Sequence, residues 1–224
     1  MANVFNSVLR SPITKDGTYE WDPLISGYFF FQFVRVPRAL EDQSALFVKQ
    51  SIALCTAITL PDVNIGTVER IGLGGVKTVV PTALDQTTTF EFRFIEVVRS
   101  DASPPLIQYF AMWHNSIRNH FAGVADAEKA ATMNSYKATS VFIAVDPAVS
   151  TLAFGVKLFG VWPTILPYSG YTADVATNDV VEFTQTLSVD RAVQVTLEDP
   201  DTNALFTYVK AQIDQYRGSV PFTK

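Results

Sequence analysis

Apolar and polar residues alternate with period two in several separated segments, and this pattern restricts the possible folds more than any other feature of the chain. In Phe90-Glu91-Phe92-Arg93-Phe94-Ile95 the three phenylalanines share one face of an extended strand, and Glu91 and Arg93 share the other. Across residues 181–189 the odd positions are mostly apolar and the even ones polar. Such strands keep one face on a core and one in water, as antiparallel sheets do. Residues 28–36 and 152–162 are apolar on both faces and read as strands covered on both sides. Residues 46–59 predict one further strand, ended by Pro61. The 26 Val and 22 Thr, against 15 Leu, also favour strands.

Two segments follow the helical period instead. Leu106, Phe110, Trp113, Ile117 and Phe121 form one apolar stripe, which predicts a helix from Ser103 to Phe121. Ser103 is placed to cap it, Pro104 fits the first turn, and Gly123 follows the end. Leu205, Val209, Ile213 and Tyr216 predict a second helix over 202–217, with Glu198, Asp199 and Asp201 before it and Arg217 at its end. The fold class expected is α+β, mainly β: one β domain over 1–195, its first 26 residues an arm, and a C-terminal helical extension over 196–224.

Charge narrows the function. Only 17% of residues are charged and the net charge is −5, against roughly 25% charged in an ordinary globular chain. Nothing is rich enough in Lys or Arg to grip nucleic acid. A surface this poor in solvating groups is one that other subunits cover. The greasiest run, at 28–33 and broken by Gln32, is far short of the roughly 20 residues that span a bilayer, and no basic and apolar leader opens the chain, so membrane insertion is not expected.

No motif carries chemistry. The cluster Gly72-Leu73-Gly74-Gly75-Val76-Lys77 fits neither phosphate-binding pattern and no helix follows it. Asp199-Pro200-Asp201-Thr202-Asn203 begins like a calcium loop, but Ala204 and Lys210 stand where Gly and Glu belong. His114 and His120 lie six apart and lack partners at ligand spacing. Cys55 is the only cysteine and reads as a small buried hydrophobe. Glu91, Glu96 and Glu182 read as solvated or lumen-facing residues on the polar sides of strands, not as a glycosidase pair. Neither a catalytic residue nor a cofactor nor a metal is expected.

Three stretches in order carry a resemblance. The first begins with a strand near Tyr28 and runs to Ile52-Ala53-Leu54-Cys55-Thr56-Ala57-Ile58-Thr59-Leu60-Pro61. The second is the glycine-bearing link Ile65-Gly66-Thr67-Val68-Glu69-Arg70-Ile71-Gly72-Leu73-Gly74-Gly75-Val76-Lys77, then a strand and the helix through Trp113. The third is Val156-Lys157-Leu158-Phe159-Gly160-Val161-Trp162-Pro163-Thr164 and the alternating segment ending at Asp190. Together, over residues 27–195, they resemble the tail tube protein of contractile-tailed bacteriophages, related to the inner-tube proteins of phage-like injection machines.

The resemblance implies an antiparallel β-sandwich or barrel-like protomer flanked by a helix. Protomers of that family form hexameric rings whose strands join into one barrel around a lumen. The rings stack inside a sheath as part of a virion assembled in the host cytoplasm. The implied partners are further copies of the chain, the tail sheath protein, and baseplate and tail-terminator proteins. Tape measure protein and DNA pass through the lumen without specific binding. Ile65, Val68, Ile71, Leu73 and Val76 are expected to contact a neighbouring subunit or ring, the alternative being a plain surface hairpin. Glu91, Glu182 and Asp190 are expected on the lumen wall, the alternative being outer solvent or pairing with Arg93 and Arg191. A baseplate, tube-initiator or terminator ring is the near alternative in function. A soluble β-sandwich enzyme or binding module is the distant one.

The physics of the pattern agrees. An open antiparallel sheet has edges that invite pairing, and a ring of identical subunits satisfies them. Carboxylates on an inner wall would repel DNA phosphates and let the polymer slide.

Overall fold

The computed structural model describes residues 28–61, 63–71, 77–86, 88–96, 104–118, 123–146, 149–166, 168 and 181–219. In chain order the elements are β1 (Phe29–Arg35), a 3-10 turn (Arg38–Gln43), α1 (Ser44–Leu54), β2 (Cys55–Thr59), β3 (Val63–Ile71), β4 (Lys77–Gln86) and β5 (Thr89–Ile95). Then follow α2 (Leu106–Ile117), α3 (Met133–Tyr136), β6 (Ala138–Val145), β7 (Leu152–Pro163), β8 (Glu182–Ser188), β9 (Arg191–Gln194) and α4 (Pro200–Ser219). The fold is α+β and mainly β, and every strand pair is antiparallel.

β7 organises the sheet because it belongs to both of its halves. Its pairs with β9 run from Val156↔Gln194 to Phe159↔Arg191, and its pairs with β8 are Trp162↔Ser188 and Pro163↔Leu187. These registers are one ladder, so β8 and β9 are two stretches of a single bent strand. The bend falls at Gly160, with φ of +69°. On the β6 side the register passes from Thr139↔Phe159 to Ala138↔Val161, leaving Gly160 as the bulged residue. The Asp190 side chain lies where a Cβ on Gly160 would sit. Asp190 donates its N–H to the Phe159 carbonyl at 3.0 Å, and its carboxylate takes the Lys137 ammonium at 2.7 and 2.8 Å. A glycine is required here for both backbone angle and space.

The corner divides the seven-stranded sheet into two halves, β1-β6-β7-β9 and β7-β8-β5-β2. They fold over a core built largely of phenylalanine. Phe31 of β1 meets Phe92 of β5 at a ring-centroid distance of 4.2 Å, although the two strands share no ladder. The alternation in β5 and β8 serves this core, since Phe90, Phe92, Phe94, Phe183 and Leu187 are all buried. α1 and α2 add Phe47, Tyr109, Phe110 and Trp113, with Phe33 against Phe47 at 4.9 Å. The result is an open sandwich; the sheet does not close on itself.

The helices depart from expectation in two places. Residues 46–59 are not one strand: α1 runs to Leu54 and only β2 is extended. Phe47, Gln50 and Ser51 are the buried positions of α1, a three-and-four spacing that packs Phe47 on Tyr109, Phe110 and Trp113. That packing overrides the β-branched character of the segment. α2 begins at Leu106, and Ser103 and Phe121 lie outside the described residues. Its first amides, from Leu106 and Ile107, donate to Glu96 Oε1 and Oε2 at 3.1 and 2.9 Å. Glu96 is therefore not a solvated or lumen residue but the cap of a helix ten residues on, where the dipole favours its charge.

α4 lies on the outer face of the first half-sheet. Leu205, Phe206 and Val209 pack on Val141, Ile143 and Val145 of β6, each large apolar side chain contributing on the order of 1.5–3 kcal/mol. β6 is thus buried on both faces. Asp199 caps α4, accepting from the Thr202 N–H and hydroxyl at 3.0 and 2.9 Å. Lys157 of β7 donates to Asp199 at 2.8 Å and to Asp201 at 2.5 Å. Partial burial alone would raise the Asp199 pKa, but the Lys157 ammonium and the Thr202 donors hold it below the usual carboxylate range. Burial likewise pushes Lys157 down, and its two carboxylates more than reverse this.

The corner and this anchor each make a measurable contribution. Gly160→Ala lowers stability by about 1–3 kcal/mol, read as a lower denaturant midpoint, and an unchanged midpoint would refute the strained corner. The depressed Asp199 pKa contributes stability that is complete above the ordinary carboxylate value and disappears as pH falls through the folded value. The raised Lys157 pKa contributes stability that is complete below the ordinary lysine value and is lost as pH climbs through the folded one. Melting temperature therefore falls below about pH 4 and above about pH 10.4, and Lys157→Met flattens both flanks of that profile.

Candidate assembly surface

Among the described residues, three strand flanks of the seven-stranded sheet are unpaired. β1 pairs only with β6, β2 only with β5, and β9 only with β7. Each presents backbone N–H and C=O groups that water or another chain must satisfy.

The second feature is the glycine-bearing link. It forms a two-stranded ribbon, β3–β4, in register from Val63↔Gln86 to Ile71↔Lys77 and separate from the seven-stranded sheet. Such a ribbon is marginal alone in water. Val68 and Val79 are 46% and 62% exposed, and the Glu69–Lys77 ion pair at 3.5 Å is equally open to solvent, so it adds little. Of the five expected contact residues, Val68 is on the ribbon with its side chain exposed. Ile65 and Ile71 occupy ladder positions opposite Leu84 and Lys77. Leu73 and Val76 lie outside the described residues.

The third feature is the outer face of the second half-sheet. The register places Thr89 opposite Ser188, Glu91 opposite Thr186, Arg93 opposite Thr184 and Ile95 opposite Glu182. Residues directly opposite share a face, so Glu91, Arg93 and Glu182 stand together among hydroxyl side chains. Glu91, Arg93 and Glu182 are exposed, and no described element packs over them. The outer face of the other half-sheet, by contrast, lies under α4. Asp190 stands apart from Glu91 and Glu182, at the corner beside Gly160 and paired with Lys137. Arg191 lies over the Phe159 ring at 5.3 Å.

None of these surfaces carries a reactive group. Cys55 is half-buried, its Sγ facing the Ala57 carbonyl at 3.6 Å, and burial pushes the thiol up to about 12. His114 is half-buried on α2, and His120 lies outside the described residues. Among the described residues no group of three His, Cys, Asp or Glu is placed to hold a metal ion, and no helix is long and apolar enough to cross a membrane.

Solved structures that share this architecture include chains of contractile injection machines. A chain of the sheath–tube complex of an extracellular contractile injection system superposes with a TM-score of 0.53 at 17% identity, covering 83% of this chain and 99% of its own length. A chain of the tube-terminating cap of the anti-feeding prophage gives 0.53 at 14% identity, covering 82% and 98%. The chain has the tail-tube fold. A chain of the sheath/tube terminator of the same injection system gives 0.52 at 16% identity, covering 79% and 99%. These neighbours are assembly components and not enzymes. No protein-family model and no curated protein matches the sequence. The same fold is thus reached at 17% identity or less, as a fold specified by burial pattern allows.

Sequence reading missed three parts of this surface. β6 lacks alternation because both its faces are covered. Glu96 reaches its helix across a loop, which no local pattern reveals. Lys157 had a signal that went unused: a lone cation inside an apolar strand implies an acidic partner.

A thiol held near pKa 12 is almost wholly protonated at neutral pH. Cys55 therefore fails to react with a small disulfide reagent at pH 7.5 in native protein and reacts promptly after denaturation. Rapid native labelling would contradict its placement.

Proposed function

We infer that the chain is a structural protomer of the inner tube of a contractile-tail machine, assembling into stacked hexameric rings around a lumen that conducts DNA. The observation that carries this reading is the open sandwich with unpaired strand flanks and a detached ribbon, in a chain with few charges. Identical neighbours are the simplest completion of such edges, since head-to-tail contacts close into rings and repeat along an axis. The tail-tube fold supports the same reading.

Within such a ring, the uncovered face bearing Glu91, Arg93 and Glu182 is the lumen wall, because the opposite outer face is occupied by α4. Its hydroxyls and net negative charge give phosphates nothing to bind. Asp190, tied to Lys137 at the corner, serves the protomer more than the wall. The β3–β4 ribbon, with Ile65, Val68, Ile71, Leu73 and Val76, reaches a neighbouring subunit or ring. A sheath meets the tube on the α4 side, and baseplate and terminator proteins meet its ends.

A terminator, cap or initiator ring is the second reading. It is favoured by the neighbours described as a terminator and a tube-terminating cap, which superpose as well as the sheath–tube chain does.

Negative-stain microscopy of the purified chain at rising concentration separates the readings. Rods of stacked rings are the expected outcome for a tube protein. Single rings that never lengthen would move the chain to the terminator class. A compact monomer at the highest concentration would end both.

A further inference from the structure

A groove of about 520 Å³ runs along the unpaired flank of β1, with Gln32 and Val34 on its floor, Val48, Lys49 and Ile52 of α1 on one wall and Tyr208 of α4 on the other. It is mostly apolar, and its rim leaves Val34 and Tyr208 38% and 46% exposed. Two charges enter it, Lys49 and Asp201. The Asp201 carboxylate already holds Lys157, whereas no carboxylate among the described residues pairs with Lys49. Among the described residues, the groove thus carries one uncompensated positive charge beside the unpaired backbone groups of β1.

The opposite flank of the same half-sheet offers the complement. Beyond the unpaired side of β9, the chain turns into α4 through residues 196–199. The turn is closed by the Asp199 N–H on the Thr196 carbonyl at 3.1 Å and tied to β7 by the Val195 N–H on the Gly155 carbonyl at 2.9 Å. Leu197, 39% exposed, and Glu198 sit at its tip. The Glu198 carboxylate has no cationic partner among the described residues. The turn, a knob beside the start of β7, thus presents one apolar and one acidic side chain on the flank opposite the groove.

We propose that the groove along β1 is the socket for the 196–199 turn of the next copy of this chain, with Leu197 between the α1 and α4 walls and Glu198 on Lys49. The proposal rests on the ring reading above and specifies its seam. Socket and knob lie on opposite flanks of one half-sheet, so the contact is head-to-tail and repeats around a ring instead of ending at a dimer. It also gives the C-terminal segment a role: α4 supplies one wall of the socket, and its first turn positions the knob.

Charge reversal tests the seam with folding held constant, because Lys49 and Glu198 are both exposed in the protomer. Lys49→Glu and Glu198→Lys each place like charges across every seam. Each variant alone loses the ring species by light scattering and microscopy while keeping the wild-type circular dichroism spectrum and a cooperative melt. Mixed in equal amounts, the two variants restore rings. The reversed socket of the Lys49→Glu chain then accepts the reversed knob of the Glu198→Lys chain, and the unaltered socket and knob that remain accept each other, in alternation around the ring. The double variant restores rings by itself. Single variants that assemble like wild type, or a mixture that stays monomeric, would overturn the seam while leaving the ring reading intact. A wild-type chain that never forms rings would remove both.

Discussion

The corner at Gly160 is the constraint on which the other structural features depend. One residue with a positive φ lets β7 pass from one half-sheet to the other, and the long strand made of β8 and β9 bends with it. Asp190 fills the space beside that glycine and draws in Lys137 from the start of β6. If β7 stayed straight, the phenylalanines of β1 and β5 would stand far apart on one face of a flat sheet. With the bend they meet at 4.2 Å, and a core forms that a single-layer sheet cannot provide.

The same bend determines what remains open. Folding a sheet at one strand brings its two ends to the same side, so β1 and β2 become edges at the mouth of the sandwich. α1 packs between them and covers the core but cannot satisfy a strand edge, because its own backbone bonds are internal. The outer faces then diverge in character. α4 shelters the apolar face of β6, and the hydroxyl-rich face of β5 and β8 stays bare. Among the described residues the chain thus has one sheltered face, one bare polar face and unpaired flanks between them.

Charge is used sparingly and locally. Glu96 is placed at the α2 N-terminus, Lys157 between two carboxylates at the start of α4, and Lys137 on Asp190. These ionic groups hold junctions between elements, where a partly buried pair with several hydrogen bonds is worth more than an exposed one. Of the remaining charges, Glu91, Arg93 and Glu182 lie on the bare face, whereas Asp126, Glu128 and Lys129 lie in the loop before α3 and Lys210 and Asp214 on α4.

The sequence alone determined the antiparallel class, the Phe-bearing faces of β5 and β8, and the extent of α4 within a few residues. These are local properties, since period two and period 3.6 are written into neighbouring residues. The exposed positions of Glu91 and Glu182 were legible for the same reason, because alternation alone puts each on the polar side of its strand. The tertiary structure alone decided that residues 44–54 coil instead of extending, that Glu96 caps a distant helix, and that β6 is a strand covered on both faces. It also decided that Asp190 belongs to a corner. In each of these cases the deciding contact joins residues far apart in the chain, such as Phe47 with Trp113 or Gly160 with Asp190, and no periodicity within one segment encodes which distant surface will bury it.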